Sequence, residues 1–180
     1  MRYIRELRGG NWAAVPTTPG VYWWYFDKQA LKQFGDSLAC DVRGLNLLAN
    51  PAGEICLYHG IAKNLRQRIA WHSAQSLHIS ALKSGFLSTF RLTLLALNTI
   101  PFVHGEDLIN AYMDTLRVDW VETRTKKEAM AIESAGLAGP YHFPLNIQSN
   151  NHSALAAFKQ GLKAHRAAYR HKFLCVNEPS

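Results

Sequence analysis

Two short apolar runs in the sequence each carry a glycine and a tyrosine, and the second run leads into a segment with an arginine and a histidine. The two runs end in Gly20-Val21-Tyr22 and Tyr58-His59-Gly60. Arg68 and His72 follow the second run at positions i and i+4, which lie on one side of a helix. Together, tyrosine, arginine and histidine can hold a phosphate oxygen, neutralise its charge and move a proton. The combination is typical of a site that cuts phosphodiesters.

The elements that position these residues are predicted from turn residues and from hydrophobic periodicity. Turns at 17–20 and 50–53 precede strands over Val21–Phe26, covered on both faces, and Glu54–Tyr58. Alternation from Leu116 to Trp120 predicts a third strand. Helical spacing predicts helices over these segments: 28–38, 62–77, 82–97, 106–116, one capped by Thr125 and one capped by Ser153. The fold class is therefore α/β (α+β), with a small three-stranded sheet, mixed or antiparallel, flanked by helices.

The composition bounds the class of protein. With 48% hydrophobic and 18% charged residues, the 180-residue chain can build one self-supporting core. A formal charge of +7 favours a polyanionic partner, nucleic acid first and an acidic membrane second. No segment approaches the roughly 18 apolar residues of a membrane span. Three cysteines without a Cys-x-x-Cys pair and a charged start of the chain predict a reduced, cytoplasmic location.

Taken with residues further along the chain, these runs resemble the GIY-YIG nuclease family. The two runs match its two name-giving motifs, with His59 in place of an apolar residue, and the spacings to Arg68 and His72 are similar. Residues 125–133 resemble the helix that bears the metal-ligating glutamate, here Glu133, and residues 144–146 resemble the closing Pro-x-Asn. The resemblance spans residues 19–147.

The chain departs from the family pattern at one residue and in two segments. Ile61 stands where the family often has a lysine, and Lys63 lies two positions further on. Residues 27–53 and 84–115 are longer than a compact module needs. We therefore predict a GIY-YIG-like domain over residues 1–150 with insertions at 27–53 and 84–115.

The resemblance implies a set of catalytic residues: Tyr22, Tyr58, Arg68, His72, Glu133 and Asn146. Tyr58 would be the general base. Because a free tyrosine has a pKa of about 10, we expect the charge of Arg68 to lower that pKa. Glu133 would offer a hard oxygen ligand to one Mg²⁺ (or Mn²⁺) ion.

Three of these residues receive supporting roles. His72 would hold a phosphate oxygen or relay the proton. Tyr22 would orient the attacking water or Tyr58. Asn146 would order the Glu133 side of the site.

Basic residues are predicted to contact the nucleic acid: Lys63, Arg66, Lys159, Lys163, Arg166 and Arg170. The last four form a stripe on a basic amphipathic C-terminal helix within residues 151–180, opposite an apolar stripe. Two other interpretations of this helix stay open. It is either a docking helix with a solvated basic face or a helix that lies on a membrane surface.

The resulting prediction is a metal-dependent endonuclease that acts on DNA, double-stranded DNA first, and is a restriction-type enzyme. The alternatives are a stand-alone repair or phage-type nuclease, and a non-catalytic nucleic-acid-binding module of the same fold. A homodimer is one way for a one-site chain to cut both strands. Structural zinc is disfavoured because the Cys56-x-x-His59 pair has no matching second half.

Overall fold

A computed structural model describes residues 1–175 and centres on a four-stranded antiparallel sheet. Its strands are β1 (Arg2–Tyr3), β2 (Gly20–Phe26), β3 (Ile55–Ala62) and β4 (Arg117–Glu122), in the order β1-β4-β2-β3. The predicted α/β class is confirmed, and the predicted count of three strands is wrong by one. The missed strand, β1, has two residues in a charged segment, too short for any alternation to show. It is held by pairing with β4.

The central strand β2 brings the two motifs together. It lies between β3 and β4, and both of its faces are covered, as predicted. Tyr22 lies opposite Gly60, and Trp23 opposite His59. A Cβ atom at Gly60 would lie 2.6 Å from the Tyr22 hydroxyl, so this position requires glycine. The strand that was predicted to end at Tyr58 continues to Ala62. Gly60 is a residue typical of turns, but here it and its neighbours pair with β2.

Eight α-helices within residues 1–175 surround the sheet: α1 (Ile4–Gly9), α2 (Lys28–Ser37), α3 (Leu65–Ala74), α4 (Ile79–Ser84), α5 (Thr89–Leu97), α6 (Glu106–Asp114), α7 (Lys126–Ala138) and α8 (Ala156–Cys175). The segment 82–97, predicted as one helix, belongs to two helices. Gly85 adopts φ 75° and ends α4, and Ser88 caps the N-terminus of α5. Thr125 caps α7 as predicted. Ser153 does not cap α8 but begins a 3₁₀ turn that leads into it. Residues 176–180 of the predicted C-terminal segment lie outside the described residues.

The main core joins one face of the sheet to the helices, including those of the predicted insertions. Every residue of α5 from Phe90 to Leu97 is buried. The apolar stripe of α8, from Phe158 to Tyr169, enters the same core. A smaller cluster on the other face joins α7 to β2 and β3 through Leu137 and Phe143. In residues 1–175, no helix is both long and apolar enough to cross a membrane.

Candidate active site

A cleft of about 350 Å³ opens beside β3, the strand at one edge of the sheet. Tyr58 reaches it from the main-core face, and Glu133 reaches it from α7, which packs on the opposite face. The cleft is lined by five of the six predicted catalytic residues: Tyr58, Arg68, His72, Glu133 and Asn146. The sixth, Tyr22, lies fully buried directly behind them. The structure thus brings together residues that lie far apart in sequence.

A buried chain of hydrogen bonds runs behind the cleft. The Tyr22 hydroxyl lies 2.9 Å from Nε2 of His72, and Nδ1 of His72 lies 2.6 Å from Oγ of Ser88. The Tyr22 ring also lies beside that of Tyr58, with the two ring centres 6.3 Å apart. Burial, followed by the charge of Arg68, holds the pKa of His72 well below its usual value. His72 is therefore a neutral ring that exchanges hydrogen bonds at both nitrogens.

Tyr58 stands between this chain and the cleft, with its ring 4.7 Å from that of Phe90. Burial raises its pKa above the usual value of a tyrosine. The charge of Arg68 and the Tyr22 hydroxyl oppose that rise, whereas the charge of Glu133 adds to it. The expected net lowering by Arg68 is therefore wrong for the site without ligand, because burial outweighs the attraction of the guanidinium. Burial therefore favours the protonated form of Tyr58, and a further positive charge in the cleft would act against it.

Arg68 is the arginine of α3 that faces the cleft. Its Nε donates to the Tyr22 hydroxyl at 3.4 Å, and its guanidinium lies 4.6 Å from the centre of the Trp71 ring. Arg66 points elsewhere and donates to the backbone oxygens of Val15, at 2.7 Å, and Ala13, at 3.1 Å. Arg66 therefore holds the loop before β2, and its predicted contact with nucleic acid stays a prediction.

Asn146 fixes the free edge of β3. Its Oδ1 accepts from the backbone N–H of His59 at 2.8 Å, and its Nδ2 donates to the backbone oxygen of His59 at 2.6 Å. Leu145 extends this pairing to the oxygen of Leu57. Since Tyr58 and Gly60 flank His59, the Asn146 amide holds the backbone that presents Tyr58 to the cleft.

Glu133 is the carboxylate that lines the cleft, and it is half-buried. Burial raises its pKa, and the charge of Arg68 acts in the opposite direction. Within residues 1–175 no group of three or more His, Cys, Asp or Glu side chains gathers as a metal cage. One carboxylate beside open cleft volume fits a Mg²⁺ ion that keeps most of its waters and takes its remaining ligands from the substrate.

The basic stripe of α8 faces the protein more than we expected. Lys159 donates to the backbone oxygen of Asn150, and Arg170 donates to that of Leu82 at 2.8 Å. Arg166 donates to Thr93 at 3.4 Å and lines the cleft beside β3. Lys163, which is exposed, lines a neighbouring pocket together with Arg166 and Arg170. Burial and the charge of Arg170 lower the pKa of Arg166.

Ser88 is the site residue that the sequence pattern missed. It lies in the predicted insertion 84–115 and is buried, with its backbone N–H donating to Oε1 of Gln75 at 2.6 Å. A serine before an apolar helical run is a recognisable N-cap signal, and Ser88 does accept from the Arg91 N–H. That signal predicts the start of a helix, but it carries no information about a contact with His72.

The fold and the cleft define a small α/β protein in which tyrosine, arginine, histidine and glutamate side chains meet at one edge of the sheet. In agreement, the family model of the GIY-YIG catalytic domain matches residues 20–168. The chain therefore belongs to the GIY-YIG family, whose members are nucleases acting on nucleic acid. No curated protein and no solved structure matches the chain significantly.

Proposed function

We propose that the protein is a divalent-metal-dependent endonuclease that hydrolyses DNA. The observation that carries this proposal is the meeting of Tyr58, Arg68, His72 and Glu133 at one cleft, with Tyr22 bonded behind them. Each of these side chains is ordinary alone. In one cleft they supply a proton acceptor, a phosphate clamp and an oxygen ligand, which are the parts that phosphodiester hydrolysis needs.

Glu133 would hold the metal, Mg²⁺ or Mn²⁺. When bound, the ion supplies positive charge that stabilises the scissile phosphate and acidifies a water molecule. Arg68 binds a non-bridging phosphate oxygen through its planar fork of N–H groups. Tyr58 reacts as the phenolate, which the Tyr22 hydroxyl helps to stabilise, and it becomes neutral when it accepts the proton of the attacking water. His72 fixes Tyr22, and Asn146 fixes the strand that carries Tyr58.

Double-stranded DNA is the proposed substrate, cut by a restriction-type enzyme in the cytoplasm. The support is the net charge of +7 and the basic groups on both sides of Arg68, with Lys63 on one side and Arg166 on the other. Lys63, Arg66 and the four basic residues of α8 are the proposed backbone contacts. A stand-alone repair or phage-type role is the alternative. A homodimer would let one catalytic cleft serve each strand.

A plasmid-cleavage assay with Mg²⁺, Mn²⁺ or chelator tests the proposal. We expect nicked or linear product only with metal, and none from Glu133→Gln, which removes the ligand charge. Tyr58→Phe keeps the ring and should cut about 10²- to 10⁴-fold more slowly, the range for a general base. The matched control is Glu128→Gln on the same helix, where the exposed side chain accepts from the Arg124 N–H; it should cut at the wild-type rate.

Sequencing the ends of a digested long DNA separates a site-specific enzyme from the repair-type alternative, because only the former leaves one recurring sequence. Unimpaired cutting by Glu133→Gln would reject the metal assignment. Binding of DNA by the wild-type protein without any cutting would favour the non-catalytic module.

A further inference from the structure

A second cleft, of about 610 Å³, lies on the other side of Arg68 from the catalytic cleft. The two clefts share Ile61, Arg68 and Trp71 as wall residues. The second cleft also contains the ring of Phe86, whose centre lies 6.1 Å from that of Trp71. We refer to Trp71 and Phe86 as the aromatic corner. It has no part in the mechanism described above.

Phe86 is held out into solvent by an ordered loop. The residue is 69% exposed, the largest exposure among the big apolar side chains of residues 1–175. Gln75 anchors the loop twice, donating through Nε2 to the oxygen of Phe86 at 3.2 Å and accepting the N–H of Ser88 at 2.6 Å. Leu87 and Ser88 beside it are buried. The loop that places Ser88 against His72 therefore also presents Phe86 outward.

The charges around the aromatic corner are all positive. Among the described residues that line the second cleft, the charged ones are Lys63, Arg68 and Lys126, and there is no carboxylate. An apolar ring framed by cations suits a ligand that combines a flat apolar face with flanking negative charges. A nucleotide has this chemistry, since its base offers a π face and its phosphates offer the charge.

We propose that the aromatic corner binds a nucleobase of the substrate strand, stacked on Phe86 beside Trp71. The inference rests on the proposed function, because it places the scissile phosphate at Arg68, the residue that separates the two clefts. The base bound there belongs to a nucleotide next to that phosphate. A base can stack on Phe86 only after leaving its own stack, so the site takes single-stranded or locally unpaired DNA.

Equilibrium binding to two oligonucleotides with equal charge tests the proposal. One is single-stranded oligothymidylate of about 12 nucleotides, and the other is an abasic strand of the same length, a length within known single-strand site sizes. Binding is measured by fluorescence anisotropy in chelator with the Glu133→Gln protein, so that nothing is cut. Stacking of one base is expected to make the thymidylate bind about 5- to 100-fold more tightly than the abasic strand.

The substitution Phe86→Ala should abolish this preference, and Phe86→Trp should keep it. The matched control is Leu108→Ala, which shortens an exposed apolar side chain, 55% exposed, on α6. Because no charge is removed, the dependence of binding on salt should be the same in all these variants.

Two results would overturn the proposal. One is equal affinity for the two strands in the protein that keeps Phe86, and the other is an unchanged preference for thymidylate in Phe86→Ala. Sedimentation of the protein that keeps Phe86 and of the Phe86→Ala variant tests whether Phe86 instead joins two copies of the chain. If Phe86→Ala only converts a dimer to a monomer, the aromatic corner is a contact between two copies and the proposal fails. Failure of plasmid cleavage would reject the proposed function but leave this binding comparison intact.

Discussion

The proton of the Tyr22 hydroxyl is directed by the hydrogen-bonding capacity of its neighbours. Arg68 can only donate to Tyr22, and the Ser88 hydroxyl already accepts the Arg91 N–H. If Ser88 donates its own proton to Nδ1 of His72, then Nε2 of His72 carries a proton and donates to Tyr22. The Tyr22 proton can then be donated to Tyr58, and such a hydrogen bond opposes the rise of the Tyr58 pKa. We therefore predict that Ser88 is a positioning residue that acts through His72.

Removing the Ser88 hydroxyl should slow catalysis more than it weakens substrate binding. For Ser88→Ala we expect kcat to fall by about 10- to 100-fold, the usual cost of losing an outer-shell partner, with KM little changed. Loss of the cap on α5 should also lower the free energy of unfolding by about 1 kcal/mol. Ser88→Thr keeps the hydroxyl and should restore both. Nitrogen NMR of the His72 ring reports its tautomer directly, and an unaltered tautomer in Ser88→Ala would contradict the scheme.

At the scale of elements, the predicted insertion 84–115 is part of the wall of the candidate active site. It supplies α5, which is buried along its length, and Phe90 of α5 packs on Tyr58. Arg91 donates to the Ser73 oxygen at 2.7 Å and to Asn110 at 2.7 Å, which ties α3, α5 and α6 together. Burial lowers the pKa of Arg91 to about 10. A segment that looked additional in the sequence therefore builds the back of the site.

The parts of the fold that could be predicted are those with local signals. Hydrophobic periodicity and turn residues located β2, β4, α2, α6 and α7, and motif order indicated the residues of the cleft. Long-range pairing left no such signal. The two residues of β1 form a strand only because they pair with β4, and Asn146 pairs with His59, which lies 87 residues earlier in the chain. The contact between Ser88 and His72 likewise depends on how α3 and α5 pack.

The basic face of α8 gives an element-scale prediction. Lys163 and Arg166 lie at or beside the cleft, and each phosphate contact on duplex DNA contributes about −0.9 to the slope of log K against log salt. The double variant Lys163→Gln/Arg166→Gln should therefore flatten that slope by about 1 to 2. Lys172→Gln on the same helix is the control, because Lys172 lines a different pocket. Equal slopes in all three proteins would mean that α8 serves packing alone.

At the scale of the whole molecule, the sheet separates the main core from the small core, which is the cluster that contains Leu137 and Phe143. The candidate site lies at the edge strand β3, between these two cores. Tyr58 lies on the main-core face of the sheet, whereas Glu133 extends from α7, which covers the small core. His59 packs in the small core, stacked on Trp23 with ring centres 4.8 Å apart. The geometry of the candidate site therefore depends on both cores keeping their places around β3.

His59 makes the small core sensitive to acid. Its ring is 1% exposed, neither ring nitrogen has a hydrogen-bond partner among the described residues, and burial lowers its pKa to about 4. In the unfolded chain the pKa of a histidine is about 6.5. Below that pH, His59 binds a proton in the unfolded chain but not in the folded protein. This contribution to stability is therefore present above pH 6.5 and is lost as the pH falls towards 4, at up to about 1.4 kcal/mol per pH unit. The total loss from a pKa of about 4 is about 3 kcal/mol.

His59→Leu, which also removes two unpaired buried nitrogens, should reduce the difference in urea-unfolding free energy between pH 7.5 and pH 5 relative to the wild type. If both proteins lose the same free energy between these pH values, His59 is protonated in the folded state and the small core is open to water.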